Sequence, residues 1–488
     1  FIYNGCYEIF ALAQYFFNDK KSVAVLDMAH FANAVHDKEM AGMFLRAAQS
    51  ANNETQSANY QKFTAKGILP AEYPEGHKTL TYSAAAVHRR KGWMAAVKGY
   101  SKYVYSMEVW PDEIGAGSRY SAFSLFRSFG FLELLGEPSA EAGNNNGIHI
   151  DQGFDYCRWS GSTALKLPYA QIKSRVNYVE DERAEWLFSD QAFVGGLDEV
   201  DGNGVFALCL HGPAKYGLDS FFAKKSYHFY DDMILCVGSG ITNDLSEYET
   251  ETTLFQDFGS GAKQEGKFLE DNRGHGYYVL NDLESVRFFE KANISRDMKD
   301  REDSVGKRTF ALISHGKTPC NASYAYLIKM SGGIPALRKI DLVHNVKILR
   351  QDESAHIVQL FDTTNYVLFR KDYEINTGLL GGVTESCILS IRKKEGRYFL
   401  SVCDPDLRFY YGESEDYDLY RNVQEKAVYG RFWNYNDSIP SKIWVILNRD
   451  VPEIQAIKGN ATIVQRANGK TILEFVCKDG MTAEIAFD

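Results

Sequence analysis

The sequence predicts an α+β protein in which a small helical part precedes a much larger antiparallel β region. In about the first fifty residues, apolar side chains such as Ile9, Leu12 and Phe16 recur at helical spacing. From about residue 75 the pattern changes to short β-branched and aromatic runs separated by turn residues. About 400 residues of consecutive strands need two or more stacked sheets to bury their apolar faces.

Three helices are predicted in the first part of the chain. The opening stretch "FIYNGCYEIFALAQYFF" leads directly into the first helix, and "SVAVLDMAHFANAV" repeats the same rhythm. Asp37 is placed to cap the third helix, "KEMAGMFLRAAQSA", whose apolar side chains form one stripe. The polar run "NNETQSANYQ" is predicted to be the loop that closes this part.

The β region is predicted from runs that combine β-branched and aromatic residues. The runs that we assign as strands are "SVRFFEKANISR", "RTFALISHG", "SYAYLIKM", "AHIVQLF", "YVLFRKDY" and "KTILEFVC". Asn468-Gly469 and Asp479-Gly480 flank the last of these runs. Both dipeptides favour type I′ turns, so we expect a hairpin at each.

Composition and charge limit the classes of function. The 488 residues are 45% apolar and 24% charged, without a run of about 18 apolar residues that would span a membrane. The net charge of −10 argues against a general polyanion-coating surface, so an anionic ligand needs a locally basic cleft. The eight cysteines form no CxxC pair and no zinc spacing, and most are predicted to be buried apolar side chains.

One stretch contains both candidate binding and candidate catalytic residues. Residues 84–110 are predicted to place His88, Arg89, Arg90 and Lys91 in a turn between strands, as a basic lip for an acidic ligand or as a solvated hairpin tip. Glu108 closes this stretch among aromatic residues, where an outward-facing strand position is the alternative to a functional role.

Two further stretches follow residues 84–110. In "GSRYSAF", Arg119 is placed to clamp a carboxylate or sulfate, or to pair with a structural acid. The mixed stretch "GFDYCRWSGSTALKLP" is predicted to be a strand that enters a structural corner. Neither stretch contains a nucleophile elbow, a phosphate loop or metal-ligand spacing.

These stretches, in this order, resemble polysaccharide lyase family 8, the chondroitin and hyaluronan lyases, and most closely its chondroitin ABC lyase branch. The resemblance extends from about residue 80 to the C-terminus and, more weakly, through the helices. It rests on seven collinear blocks, namely "VHRRKGWMAAVKGYSKYVYSMEVW", "GSRYSAF", "GFDYCRWSGSTALKLP", "FAKKSYHFYDDMILCVGSGI", "ETTLFQ", "SHGKTPCNASYAYLI" and "SVCDPDLRF".

The resemblance implies a domain plan and a reaction. Residues 1–72 would be the C-terminal remnant of an incomplete (α/α) toroid, 73–380 a large antiparallel β-sandwich, and 381–488 a smaller C-terminal β-sandwich. Such enzymes cleave uronic-acid-containing glycosaminoglycans by β-elimination, which leaves a 4,5-unsaturated uronate.

The resemblance also assigns roles to residues. Tyr7, in "YNGCYEIF", matches the catalytic Tyr, for which a buried aromatic at a helix start is the alternative. Glu108 matches an active-site Glu that helps to hold the catalytic Tyr or Arg. His88, Arg89 and Arg119 are substrate-cleft candidates. The matching catalytic His and Asn are expected before Phe1.

The sequence departs from the family pattern at the catalytic Arg. In the family it lies in a segment between two helices that are joined here at Lys21–Ser22. Either this protein has a deletion or a segment has been closed up in the numbering; we favour the second. The competing functions are a non-catalytic glycan-binding protein and a lyase for alginate or xanthan.

The resemblance leads to expectations about cofactors and partners as well. We expect an acidic polysaccharide as substrate, no nucleic-acid partner and a secreted or periplasmic location. The elimination requires no metal cofactor, and a structural divalent cation stays open, as do the sulfation pattern, the oligomeric state and endo versus exo action.

Overall fold

The computed structural model of the chain describes residues 75–106, 108–109, 122–136, 148–175, 177–179, 182–297, 300–411, 431, 433 and 436–488. The three predicted helices and the loop after them lie outside these residues. Of the candidate site residues, Tyr7 and Arg119 also lie outside them. For Glu108 the structure describes the strand but not the side chain.

An eight-stranded antiparallel sheet forms the centre of the described structure. In spatial order its strands, numbered along the chain, are β14 Lys263–Glu265, β15 Phe268–Glu270, β16 Gly276–Val279, β19 Ala322–Lys329, β12 Met233–Thr242, β11 Phe222–Tyr230, β10 Gly204–His211 and β9 Val194–Asp198. Alternate residues of β10 enter different cores: Phe206 and Leu208 face one, and Val205 and Ala207 the other. Because both faces are covered, the strand is apolar throughout instead of alternating.

Two four-stranded sheets share one core with the first face of the central sheet. One contains β1 Gly76–Leu80, β2 Ala85–Arg90, β3 Trp93–Lys98 and β5 Phe131–Leu135; the other contains β17 Val286–Arg296, β18 Asp303–Gly316, β13 Thr250–Phe258 and β6 Thr163–Leu165. Val97, Leu132 and Phe255 from these sheets pack in the same core as Phe206. This is the sandwich that the strand-rich sequence predicts.

Two further sheets lie on the opposite side. A seven-stranded sheet contains β20 Val346–Gln351, β21 Ala355–Leu360, β22 Thr363–Leu368, β24 Cys387–Lys394, β25 Arg397–Cys403, β30 Ala483–Phe487 and β27 Gln455–Lys458. A four-stranded sheet contains β23 Leu380–Val383, β26 Ser441–Leu447, β29 Lys470–Cys477 and β28 Asn460–Ala467. Val367 and Ile388 pack with Val205 of the central sheet, while Leu389 and Phe475 belong to the core between the two outer sheets. The layers therefore continue as a second sandwich.

Short elements complete the described structure. A small sheet has the order β4 Glu108–Val109, β8 Glu182–Trp186 and β7 Asn177–Val179. The helices are α1 Tyr169–Ile172, α2 Gly333–Leu337 and α3 Leu342–Asn345, with 3-10 turns at Thr81–Ser83, Leu125–Ser128, Ala214–Tyr216 and Leu283–Ser285. Within the described ranges, no helix reaches the length that crossing a bilayer requires.

The strand predictions are confirmed in position, with some differences in extent. The run at 308–316 is the second half of the longer strand β18, and the run at 366–373 keeps strand structure only to Leu368. The corner predicted at 153–168 consists of turns until β6 begins at Thr163. Among the described cysteines, six are buried and Cys320 is exposed.

The two predicted turns differ in what they connect. Asn468 and Gly469 both have positive φ, +54° and +72°, and they join the paired strands β28 and β29 as a hairpin. Asp479 and Gly480 also have positive φ, but β29 and β30 belong to different sheets. The second turn therefore carries the chain across the sandwich instead of closing a hairpin.

The sheets also bear on the predicted division after residue 380. Strand β22 pairs with β24 on the far side of that position, and β20 opens the same sheet at Val346. The seven-stranded sheet thus begins before the predicted boundary. As a statement about domains, the division into 1–72, 73–380 and 381–488 stays a prediction.

Candidate active site

Strand β4 holds Glu108 beside the large sandwich. Glu108 pairs with Trp186 of β8 and Val109 pairs with Glu185. The chain leading to β4 already runs along the same partner, because Ser106 N donates to Leu187 O at 2.6 Å. The Ser128 hydroxyl donates to Ser106 O at 3.0 Å from the other side. These bonds determine where the strand that carries Glu108 lies.

A buried carboxylate anchors β8 behind Glu108. The side chain of Glu185 has no solvent exposure, and it accepts from the Tyr216 hydroxyl at 2.8 Å. Lys215 Nζ lies 2.8 Å from the same oxygen, Oε1, and Arg175 N donates to Oε2 at 2.8 Å. Because donors reach both oxygens, burying this charge is tolerated. Sequence reasoning missed Glu185, since the acidic run "VEDERAEW" is typical of a solvated segment.

Two of the blocks that carry the resemblance meet next to this strand. The Tyr103 hydroxyl donates to Tyr410 O at 2.8 Å, and Lys102 Nζ donates to the same carbonyl at 3.2 Å. The Tyr103 ring contacts Phe409 edge-on with centroids 5.2 Å apart. Burial, reinforced by Asp406, raises the pKa of Tyr103, so its hydroxyl keeps its proton and acts as a structural donor.

His88 does not lie in an exposed turn, which corrects the sequence-based expectation. His88, Arg89 and Arg90 belong to β2, and the turn consists of Lys91 and Gly92. The His88 side chain is fully buried, and its Nε2 donates to Asp231 O at 2.7 Å. Burial lowers its pKa well below the usual value, so the ring is neutral. A buried neutral ring cannot form a basic lip.

The other basic residues of this stretch differ in their burial and in their hydrogen-bond partners. Arg90 ties β2 to two neighbouring turns, since its guanidinium donates to Gly202 O, Asn203 Oδ1 and Asp231. Arg89 is half-buried at the end of β2, and its role in a substrate cleft stays a prediction. Lys91 is exposed in the turn.

A cavity of 850 Å³ opens at this turn. Its walls come from the β2–β3 turn, the end of β5, the strands β14 and β15, and the loop that begins α2. It lies at the opposite end of β3 from the segment that leads to Glu108. The structure therefore separates the cavity from the candidate catalytic strand.

Among the described residues, no three His, Cys, Asp or Glu side chains stand close enough together to hold a metal ion.

The comparisons with known proteins agree with this architecture. Residues 149–332 match the family model described as polysaccharide lyase family 8, super-sandwich domain. The chondroitin sulfate ABC exolyase of Bacteroides thetaiotaomicron is 31% identical over 485 residues, which cover 93% of this chain and 46% of that protein. The chondroitin sulfate ABC exolyase of Proteus vulgaris is 27% identical and covers 78% of this chain and 40% of that protein. The chain thus spans less than half the length of these relatives.

Solved structures show the same fold at lower identity. The Streptomyces coelicolor A3 chondroitin AC lyase in complex with chondroitin sulphate has a TM-score of 0.66 at 15% identity, covering 92% of this chain and 58% of that one. A Paenibacillus xanthan lyase has a TM-score of 0.67 at 15% identity, covering 96% of this chain and 46% of that one. At this identity the likeness supports the β-sandwich architecture and not a substrate.

Proposed function

We propose, from the chain's membership of polysaccharide lyase family 8, that the protein cleaves uronic-acid-containing glycosaminoglycans by β-elimination. The observation that carries the proposal is the 31% identity to a chondroitin sulfate ABC exolyase over 93% of this chain. We propose chondroitin and dermatan sulfate as the substrates, with hyaluronan as a further candidate; chondroitin sulfate is the substrate in the name of this relative. In the same proposal, residues 1–72, which lie outside the described residues, are the last part of a helical toroid.

The proposed reaction sets requirements for the residues of the site. A proton leaves C5 of the uronate, the electron pair forms the C4–C5 double bond, and the C4–O bond breaks. The C5 proton is weakly acidic, so donors must stabilise the charge that develops on the adjacent carboxylate. A Tyr hydroxyl suits both proton transfers, first as base and then as acid toward the leaving oxygen. No step of this scheme needs a metal ion.

Tyr7 and Glu108 are the residues to which we assign these tasks. Tyr7 carries the proton transfers, and Glu108 orients Tyr7 or a catalytic Arg from the sandwich side. The pairing of β4 with β8 supports this role for Glu108, because a positioning carboxylate needs a strand that is held by its neighbours. Arg89 and Arg119 are proposed to contact the polymer. His88 is not included, since it is buried.

The location and the partners follow from the proposed substrate. Polymers of this kind lie outside the cytoplasm, so we propose a secreted or periplasmic protein with an acidic polysaccharide as its partner. The net charge of −10 then requires that the cations of the cleft be concentrated locally.

The test is to incubate the full-length protein with chondroitin sulfate, dermatan sulfate, hyaluronan, alginate and xanthan, and to follow the ultraviolet absorbance of unsaturated uronate. Absorbance should rise with at least one glycosaminoglycan. A rise with alginate or xanthan alone would assign a different polymer. Polymer binding without product from any substrate would show a non-catalytic glycan-binding protein.

A further inference from the structure

The 850 Å³ cavity has the dimensions of a ligand site, because small-molecule sites usually enclose about 300–1,000 Å³. Lys91 and Trp93 line it from the β2–β3 turn, His275 from the base of β16, and Arg338 from the end of α2. These residues come from three separate segments of the chain. Nothing in the proposed elimination uses it.

Strands β3 and β5 separate the cavity from β4. Trp93 begins β3 at the cavity and Lys98 ends it, and five steps of about 3.4 Å span about 17 Å. Lys98 pairs with Phe131, which follows Ser128 closely, and Ser128 bonds to Ser106 just before β4. Glu108 therefore belongs to the far end of this sheet. The cavity is not an extension of the catalytic strand.

The charges around the cavity are mostly paired. Arg338 lies 2.5 Å from Glu265, and Lys263 lies 3.3 Å from Glu270. Such pairs present donors and acceptors side by side, which suits the hydroxyl groups of a sugar. They also place carboxylates in the wall, which repel a densely charged ligand such as a polyphosphate.

Lys91 adds a cation without a partner of its own. It is exposed, and no described residue forms an ion pair or a hydrogen bond with its side chain. The wall therefore matches a polyhydroxylated ligand that places an anionic group beside Lys91.

His275 supplies a buried hydrogen-bonding group within this wall. It is 4% exposed, and its Nδ1 lies 2.6 Å from the Asp271 carboxylate. Asp271 keeps its charge, since His275 and Arg273 lower its pKa. The ring therefore donates from Nδ1, and its Nε2 has no partner among the described residues. At Nε2 the ring offers a nitrogen that can hydrogen-bond to a hydroxyl group of a ligand.

Trp93 completes the arrangement with an aromatic surface. It is half-buried in the wall, and its ring centroid lies 5.6 Å from that of His88. An aromatic side chain held by such packing provides a flat apolar face for a sugar ring. We propose that this cavity is a second saccharide site, which binds an acidic oligosaccharide segment away from the catalytic strand. The proposal rests on the proposed function, because the polymer supplies the saccharide.

The experiment is photo-crosslinking of the full-length protein with an unsaturated chondroitin disaccharide that carries a diazirine at its reducing end. Mass spectrometry then maps the labelled peptides. Label is expected on peptides that contain residues 91–93 or 331–338. Lys91→Glu should lower this label at least tenfold, because it reverses the free charge. Lys394→Glu, an exposed lysine at another hairpin, is the matched control and should retain the label.

A second pair of variants tests the aromatic surface. Trp93→Ala should lower the label at these peptides, whereas Trp444→Ala, a tryptophan exposed on the C-terminal sandwich, should not. Thermal melts identify any variant that fails to fold. If Trp93→Ala does not fold, Lys91→Glu alone tests whether the cavity binds the saccharide, because the Lys91 side chain is exposed. Unlabelled glucuronate should compete better than glucose; equal competition would overturn the preference for acidic sugars.

The outcomes separate this inference from the proposed function. If the protein releases unsaturated product but Lys91→Glu leaves the label at 91–93 and 331–338 unchanged, the second site is wrong and the lyase proposal stands. If no polymer is cleaved but the label depends on Lys91, the second site stands and the lyase proposal fails. Label confined to other peptides also overturns the second site.

Discussion

At the scale of single residues, buried polar groups hold together the elements around the candidate site. Glu185 lies under the strand that carries Glu108, and three donors reach its carboxylate. His88 has a different task from the one expected, since it bonds a turn of the central sheet as a neutral ring.

The first prediction concerns Tyr7→Phe. This change removes one hydroxyl and keeps the ring, so a structural tyrosine would lose little stability. A Tyr that transfers both protons should lose about 10²–10⁴-fold in kcat while polymer binding persists. Ultraviolet product assays and thermal melts of the full-length protein measure both quantities. Activity within a few-fold of the parent would place the base elsewhere.

The second prediction concerns Glu185→Gln. The amide keeps the shape of the side chain but leaves Lys215 without its counter-ion in a mostly buried position. We expect unfolding in urea to become easier by about 1–3 kcal/mol. We also expect kcat to fall more than KM changes, because β8 positions β4. Glu284→Gln, on an exposed 3-10 turn, is the control. A stable variant with reduced kcat would assign Glu185 to positioning alone.

At the scale of elements, an ion cluster joins the central sheet to the C-terminal sandwich. Arg392 of β24 is 4% exposed and lies 3.1 Å from Glu199, which follows β9. Its other nitrogens lie 2.7 Å from Glu484 of β30 and 3.3 Å from Asp201. Burial, together with Asp201, raises the pKa of Glu199 to about 8. One guanidinium thus links three carboxylates across two layers.

The third prediction concerns Arg392→Met. The thioether fills part of the volume but leaves the buried side chains of Glu199 and Glu484 without the guanidinium that donates to them. Removing one member of a buried ion cluster typically costs about 3–5 kcal/mol. Arg397→Met, at the exposed hairpin between β24 and β25, should cost far less. Chemical denaturation compares the two, and equal losses would mean that the cluster contributes nothing specific.

At the scale of the whole molecule, stacked layers make several histidines neutral. Burial is the main cause that lowers the pKa of His77 and His228 to about 3 and of His315 to about 4. In the unfolded chain these groups bind protons below about pH 6.5. Below that pH the unfolded state binds more protons than the folded state. The free energy of unfolding is therefore not reduced by these histidines above about pH 6.5, and it falls as the pH approaches 4.

The fourth prediction follows from this loss of stability as the pH falls. Between pH 6 and 4, each such histidine should lower the free energy of unfolding by up to about 1.4 kcal/mol per pH unit. His228→Gln should reduce the slope of the free energy of unfolding against pH by an amount that corresponds to about one proton. His344→Gln, at an exposed site, should leave this slope unchanged. Urea denaturation at a series of pH values measures the slope. An unchanged slope in His228→Gln would mean that this histidine is not kept neutral.

The sequence by itself determined the strands, their antiparallel pairing and the burial of most cysteines. These features follow from local patterns: β-branched and aromatic runs, turn dipeptides and short apolar strands such as "GVFALCLHG". Collinear blocks also carried the family resemblance, and the comparisons agree with it. Tyr7, Arg119 and the side chain of Glu108 lie outside what the structure describes, so their roles stay predictions.

Only the tertiary structure decided which polar side chains are buried and which surfaces meet. His88 and Glu185 lie in stretches that look solvated, because a pattern along one strand does not reveal what covers each of its faces. The cluster around Arg392 joins residues about 190 positions apart, and the cavity at Lys91 joins four distant segments. Such contacts arise when sheets stack, since stacking places residues side by side that no spacing in the sequence relates.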